Sequence, residues 1–250
     1  MAKLTWDENG HRLYETGTRR GVLYPKDAQG AYAKGVAWNG LTGVSESPSG
    51  AEETALYADD QKYLSLFSAE EFGFTVKAYT YPDEWAICDG SAEVASGVTV
   101  AQQVRRGFGL CYRTVLGNDE QGENYGYKLH LIYNATASPS SREYATINDS
   151  PDAIELSWEC KTTPVNFDDN MKPTALLVVD STKADATKLA ALEAILYGTE
   201  TTQPRFPSVA EVIELMSAGE ETTEETEETT EETTEETTEE TTEETTEEGQ

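Results

Sequence analysis

Phe72-Gly73-Phe74-Thr75-Val76-Lys77-Ala78 opens the stretch whose reading decides the fold. Phe72, Phe74, Val76 and Ala78 point one way, with Thr75, Lys77 and Tyr79 interleaved, which is the period-two pattern of a half-buried strand. The pattern returns at Phe108, Leu110 and Tyr112, then at Tyr127, Leu129, Leu131 and Tyr133. It appears a fourth time at Ile154, Leu156, Trp158 and Cys160, with Glu155, Ser157 and Glu159 outward. These segments predict an antiparallel β core with Phe72, Leu110, Leu129 and Trp158 packing its inside. Gly117 to Gly122, rich in Gly, Asn and Asp, joins the second segment to the third as a hairpin.

Working outward, Tyr81-Pro82-Asp83-Glu84-Trp85 ends the first strand, and Pro82 at a first helical position followed by two acids suits a short helical turn. Val98 to Arg106 has mixed periodicity, the pattern of a helix edge or an irregular loop, and Tyr144 to Ile147 reads as a short strand between turns at Ser138–Ser141 and Asn148–Pro151. On the N-terminal side, Thr54 to Tyr57 and Tyr63 to Phe67 flank a solvated turn containing Asp59 and Asp60. Before Gly50 the chain is rich in Gly, Asn, Asp and Tyr, with short strands at Gly21–Tyr24 and Gly35–Leu41, and reads as an arm with one or two hairpins. On the C-terminal side, Thr174 to Asp180 is an apolar run of strand length. Ala184 to Tyr197 forms a helix stopped by Gly198, and Ser208 caps a second helix carrying Val209, Val212, Ile213 and Met216. The organisation is therefore an N-terminal arm over 1–50, a β core over 51–165, a strand–helix–helix appendix over 166–218 and a tail over 219–250.

The tail repeats Glu-Glu-Thr-Thr. Like charges at i and i+4 oppose a helix and there is nothing apolar to bury, so it is expected to be disordered, as an outward, solvating fringe. It holds sixteen glutamates of a chain whose formal charge is −29, which leaves −13 on the body. An acidic body does not neutralise phosphates, so tight sequence-independent nucleic-acid binding is excluded. Cys88, Cys111 and Cys160 are far apart, lack CxxC spacing and sit in apolar segments, the pattern of small buried hydrophobes in a reducing compartment. The start lacks the charged and apolar regions of a signal peptide, and no run approaches the length of a spanning helix, so a cytoplasmic protein, or one released by lysis, is expected.

Catalytic patterns fail one by one. Gly107-Phe108-Gly109 lacks the third glycine of a dinucleotide loop, and neither GxSxG nor a phosphate-binding GxxxxGK[ST] occurs. His130 alternates with Leu129 and Leu131 and reads as a partly exposed sheet residue; Arg105 and Arg106 read as partners of an acidic neighbour or a subunit. No enzyme, cofactor or metal site is expected. Most aromatic residues should pack the core, while Trp38, Tyr57, Tyr63 and Phe67 are candidates for subunit contacts.

Several runs carry a resemblance: Tyr57-Ala58-Asp59-Asp60, Ser68-Ala69-Glu70-Glu71-Phe72-Gly73, Ala78-Tyr79-Thr80-Tyr81-Pro82-Asp83-Glu84 and Arg105-Arg106-Gly107-Phe108-Gly109-Leu110. Others are Cys88-Asp89-Gly90, Tyr112-Arg113-Thr114, Tyr125-Gly126-Tyr127-Lys128-Leu129, Asn148-Asp149-Ser150-Pro151 and Lys188-Leu189-Ala190-Ala191-Leu192-Glu193. Together, over about Val36 to Met216, the chain resembles the major tail protein, or tail tube protein, of long noncontractile-tailed (siphovirus-type) phages of Gram-positive bacteria. The resemblance implies a β-sandwich or small barrel with a flanking helix, six copies closing into a ring edge to edge, and rings stacking into the conduit for DNA ejection. It implies as partners other copies of the chain, a tape measure protein, and tail terminator and distal tail proteins, with DNA passing through the lumen without specific binding. It places the protein in the virion, after assembly in the host cytoplasm and without a membrane. A carbohydrate-binding β-sandwich and a head decoration protein are the alternative readings.

Overall fold

The computed structural model describes residues 3–147 and 152–218; the Glu-Glu-Thr-Thr tail and the turn and motif at Asn148–Pro151 lie outside them. The strands in chain order are β1 (Leu13–Pro25), β2 (Val36–Ala37), β3 (Leu41–Glu46), β4 (Ser49–Gly50), β5 (Glu53–Ala58), β6 (Gln61–Phe67), β7 (Glu70–Glu71) and β8 (Gly73–Ala78). They continue as β9 (Ala92–Ala95), β10 (Val98–Val100), β11 (Phe108–Asn118), β12 (Gly122–Ala137), β13 (Leu156–Thr162) and β14 (Leu176–Asp180). The α-helices are α1 (Ala86–Asp89), preceded by a 3-10 turn at Asp83–Trp85, α2 (Ala186–Tyr197) and α3 (Val209–Ser217).

The main sheet is antiparallel and runs β2-β1-β11-β12-β13-β8-β3, with β14 paired to the other part of β12. It curls until the Leu41 side chain of β3 rests on Gly21 of β1, making an open barrel. Strand β12 makes this possible by its length: residues 128–132 pair with β14, and 135–137 pair with β13, so one strand belongs to two sheet directions. Asn134, with a left-handed backbone at φ 47°, stands between them as the corner.

The curl creates two cores. Inside the barrel lie Phe74, Val76, Ala78, Phe108, Leu110, Tyr112, Trp158 and Cys160, the inward sides of the alternating strands, joined by Trp38 and Trp85. On the outer face, Tyr24, Cys111, Leu129, Leu131 and Tyr133 are covered by Leu189, Leu192 and Leu196 of α2 and by Phe206, Val209 and Val212 around α3. Leu129 therefore faces the helices, not the barrel interior expected for it: before Asn134, alternation along β12 sends Leu129, Leu131 and Tyr133 to the helical side, and past that corner Ala135 and Ala137 turn into the barrel. Gly109 lets the Phe206 ring lie on β11, since a Cβ there would be 2.7 Å from that ring.

The helix ends follow the sequence signals. The Asp185 carboxylate accepts from the Thr187 and Lys188 amides, Ser208 Oγ accepts from the Glu211 amide, and Gly198 ends α2 at φ 77°. Pro82 sits one place earlier than expected, before the first turn.

Three expectations are corrected. The segment before Gly50 holds a thirteen-residue strand, β1, paired along β11 and sending Leu23 and Tyr24 into the two cores, because its apolar residues cluster at the end of a polar strand. Tyr144 to Ile147 is not a strand, and both end residues are exposed. Val98 to Arg106 begins as β10, paired with β9 through a turn at Gly97. Among the described residues no helix is long and apolar enough to cross a membrane.

Trp158 is buried at the centre of the barrel, so Trp158→Ala is expected to lower the unfolding free energy by about 3–5 kcal/mol. Urea unfolding followed by fluorescence measures this, and a loss of under about 1 kcal/mol would contradict the packing described.

Candidate functional site

Beyond the barrel, β3 and β8 do not end as a pair. Glu46 faces Phe74, Ser49 faces Glu71, Glu53 faces Phe67 and Leu56 faces Leu64, so each step outward on one strand is matched by one on the other. β3 to β8 is thus a single ribbon that keeps one register from Gly43 to Leu56, interrupted twice, shifting by one at Tyr57 and turning back at Asp59 and Asp60. Backbone bonds keep the register across the breaks: the Ser47 amide donates to the Gly73 carbonyl and the Ser68 amide to the Glu52 carbonyl. From Glu46 to the turn the ribbon reaches roughly 40 Å at ordinary strand rise.

Local sequence explains its path. Asp59 and Asp60 both have positive φ, 50° and 60°, the geometry of a two-residue hairpin turn that Asp tolerates better than most residues. This agrees with the solvated turn expected there. Gly50, at φ 86°, brings the backbones together where a Cβ would lie 2.3 Å from the Ala69 carbonyl oxygen. Glu53 ties the two strands by accepting from Lys62 and Ser65.

This ribbon beyond Glu46, an arm distinct from the N-terminal one expected over 1–50, is solvated on both faces. Leu56, Leu64 and Leu66 lie on one side and Phe67 on the other, all exposed. Of the four residues singled out from the sequence, three are here: Tyr57 and Tyr63 are 72% exposed and Phe67 is 69% exposed. The fourth is a correction. Trp38 is only 4% exposed, packed at an angle against Trp85 and edge-on to Trp158 with ring centroids 4.7 and 5.8 Å away, and its indole N–H donates to the Thr80 carbonyl at 3.0 Å. It closes the barrel core and has no surface to offer a subunit. The signal for the exposed three is their position beside an Asp-Asp turn, whereas Trp38 adjoins the apolar β2.

A polar cluster sits at the root of the arm. Tyr112 of β11 donates its hydroxyl to Glu46 Oε1 at 2.7 Å, and the His130 ring of β12 stacks on Tyr112 with centroids 4.6 Å apart and an 8° interplanar angle. His130 Nδ1 lies 3.4 Å from the same Glu46 oxygen, and its Nε2 lies 3.0 Å from Thr114 Oγ1 and 3.7 Å from Glu15 Oε1. Thr114 donates to Glu15, which also accepts from Lys128. His130 is 8% exposed, against the partly exposed position expected, because Tyr112 and the polar ends of Glu15 and Glu46 close over it.

The other chemistry-bearing residues are structural. The three cysteines are free and buried, as expected, and burial pushes the Cys88 and Cys111 thiols up to about 12. Arg105 donates to the Ala137 carbonyl and not to an acidic neighbour, since the strand edge presents a bare carbonyl there. Among the described residues there is no group of three His, Cys, Asp or Glu side chains able to hold a metal ion.

No protein-family model matches the chain, and no curated protein matches it. Among solved structures, it has a likeness to the six-fold symmetrised baseplate of the anti-feeding prophage. That match has 9% identity and a TM-score of 0.35 and covers 72% of this chain and 99% of that one. A second is the sheath–tube complex of an extracellular contractile injection system in its extended state, at 13% identity and a TM-score of 0.29, covering 64% and 88% of the two chains. Both likenesses are weak, and neither establishes a function.

Two measurements follow. Trp38→Ala is expected to lower stability by about 3–5 kcal/mol, while Tyr57→Ala and Phe67→Ala in the monomer stay within about 0.5 kcal/mol of the parent; urea midpoints distinguish a core residue from arm residues.

The second concerns pH. Burial holds the His130 imidazolium below the usual histidine range despite the attraction of Glu46 and Glu15. The unfolded chain takes that proton more readily, so stability falls as pH drops below about 6.5. Glu15, Glu211 and Asp180 are held below their ordinary carboxylate values, Glu15 by Lys128 and Thr114 against the opposing effect of burial, and their contribution is lost at lower pH. Unfolding midpoints in urea across pH should show two stages of loss, and His130→Gln should remove only the first.

Proposed function

We propose that this chain is a structural protein that assembles with copies of itself into stacked rings, the tail tube of a siphovirus-type phage. The single observation that carries the reading is the arm: a two-stranded ribbon reaching from the barrel with Tyr57, Tyr63 and Phe67 exposed. An isolated two-stranded ribbon is marginal in water, and aromatic side chains exposed on it contribute most when a neighbouring surface covers them. A copy of the same chain supplies such a surface at every step of a stack.

The barrel supports the same reading. β14 pairs with β12 along one side and, among the described residues, carries no strand on the other. Joining such edges between copies removes the hazard of open β-sheet and closes a ring of, we propose, six subunits. An acidic wall repels phosphate, so DNA passes through the lumen without being held. The tape measure, tail terminator and distal tail proteins are the further partners in this proposal, the virion is the location after assembly in the host cytoplasm, and no reaction is catalysed.

Negative-stain microscopy of the purified protein, with and without tape measure and initiator proteins, tests the proposal. Rings or tubes are expected, and a Tyr57→Asp/Tyr63→Asp/Phe67→Asp variant should remain a folded monomer by circular dichroism and light scattering. Parent protein that stays monomeric under both conditions, or a triple variant that assembles as the parent does, would overturn it.

A further inference from the structure

Glu46 is the last residue of β3 and the last that the barrel holds before the arm begins at Ser47. The protons around it can be counted. Thr114 has one hydroxyl proton and donates it to Glu15, so its oxygen can meet His130 Nε2 only by accepting an N–H. That assigns the proton of the neutral ring to Nε2 and leaves Nδ1 as a bare acceptor. Nδ1 is buried with no hydrogen-bond partner, and what faces it at 3.4 Å is Glu46 Oε1, a second acceptor. Tyr112 donates to that same oxygen, so nothing in the neutral arrangement supplies a hydrogen to the gap.

We propose that Glu46 and His130 form a proton-operated latch at the root of the arm. One proton taken up on Nδ1 turns two opposed lone pairs into an N–H donating to Oε1, joining β12 to the end of β3. The groups facing the ring from each element are Glu15 on β1, Tyr112 and Thr114 on β11, Lys128 on its own strand and Glu46 on β3. Glu15 and Glu46 favour the proton and Lys128 opposes it. The ring is enclosed chiefly by the barrel, stacked on Tyr112, so its desolvation persists when the arm root moves, whereas its attraction to Glu46 does not. Acid therefore strengthens root attachment even as it weakens the fold as a whole. A root held at Glu46 by Tyr112 alone at neutral pH and one held by both Tyr112 and His130 in acid are the two states. This goes beyond the assembly reading and is measured at protein concentrations dilute enough to keep the chain monomeric.

Hydrogen–deuterium exchange of the arm-root amides in Ser49–Gly50 and Glu70–Glu71, corrected for intrinsic rates, tests it between about pH 8 and about pH 5. In the parent, exchange should slow about tenfold on acidification, the effect of one charge-assisted hydrogen bond. Glu46→Gln places an amide N–H where the proton would sit, with the Tyr112 hydroxyl turning to accept the second N–H of that amide, and its exchange should be slow at both pH values. His130→Phe keeps the stack on Tyr112 without the ring nitrogens, and its exchange should not change with pH. Parent exchange that is unchanged, or a Glu46→Gln variant with the parent's pH dependence, would overturn the latch. Because Glu46 is substantially solvent-exposed, that variant keeps the test decisive if His130→Phe does not fold.

Discussion

The interlocking of aromatic rings inside the curled sheet is the interaction on which the rest depends. Trp85 touches Trp38, Trp158 and Phe108 with centroid separations of 4.7, 5.4 and 4.9 Å, and Phe108 in turn meets Phe74. These five rings come from the connection after β2, the helical turn before α1, and strands β13, β11 and β8. No two are near neighbours in the chain, so they assemble only if the sheet bends. Large rings at edge-to-face separations fill a volume that aliphatic side chains would leave partly empty. The bend in turn sets where β3 and β8 leave the barrel, and hence where the arm starts.

The helical side does a different job. By covering Leu129, Leu131, Tyr133 and Cys111, α2 and α3 bury the second face of the same strands, which leaves the middle of β11 and of β12 packed on both sides. Packing there holds Tyr112 and His130 in place at the arm root. The arm itself has no such support, and its outer residues are solvated on both faces. In a body with a formal charge of −13, copies repel beyond contact, although salt screens this beyond about 8 Å. The arm carries Tyr57, Tyr63 and Phe67 beside its Asp59–Asp60 turn and projects past the barrel, the geometry on which the proposed assembly of an acidic chain rests.

Much of this was legible in the residues. The period-two alternation located β8, β11, β12 and β13, and the Gly117–Gly122 hairpin, the caps at Asp185 and Ser208 and the stop at Gly198 follow from local chemistry that needs no distant partner. Tyr57, Tyr63 and Phe67 are exposed and Trp38 is buried, a difference that residue type alone does not reveal. Strand β1 was underestimated because its first half, Leu13 to Arg20, is polar and solvated; only pairing with β11 makes it a strand.

The sequence by itself determined the antiparallel character, the positions of turns and caps, the acidity and the lack of a familiar catalytic pattern. These depend on side-chain period, backbone preference and charge, all of which act over a few residues. The tertiary structure alone decided which side of each strand meets rings and which meets helices, that β3 to β8 line up as one ribbon, and that His130, Tyr112 and Glu46 meet. Those facts depend on strand register and on the curl of the sheet. Both are set by packing between residues tens of positions apart, which no local pattern encodes.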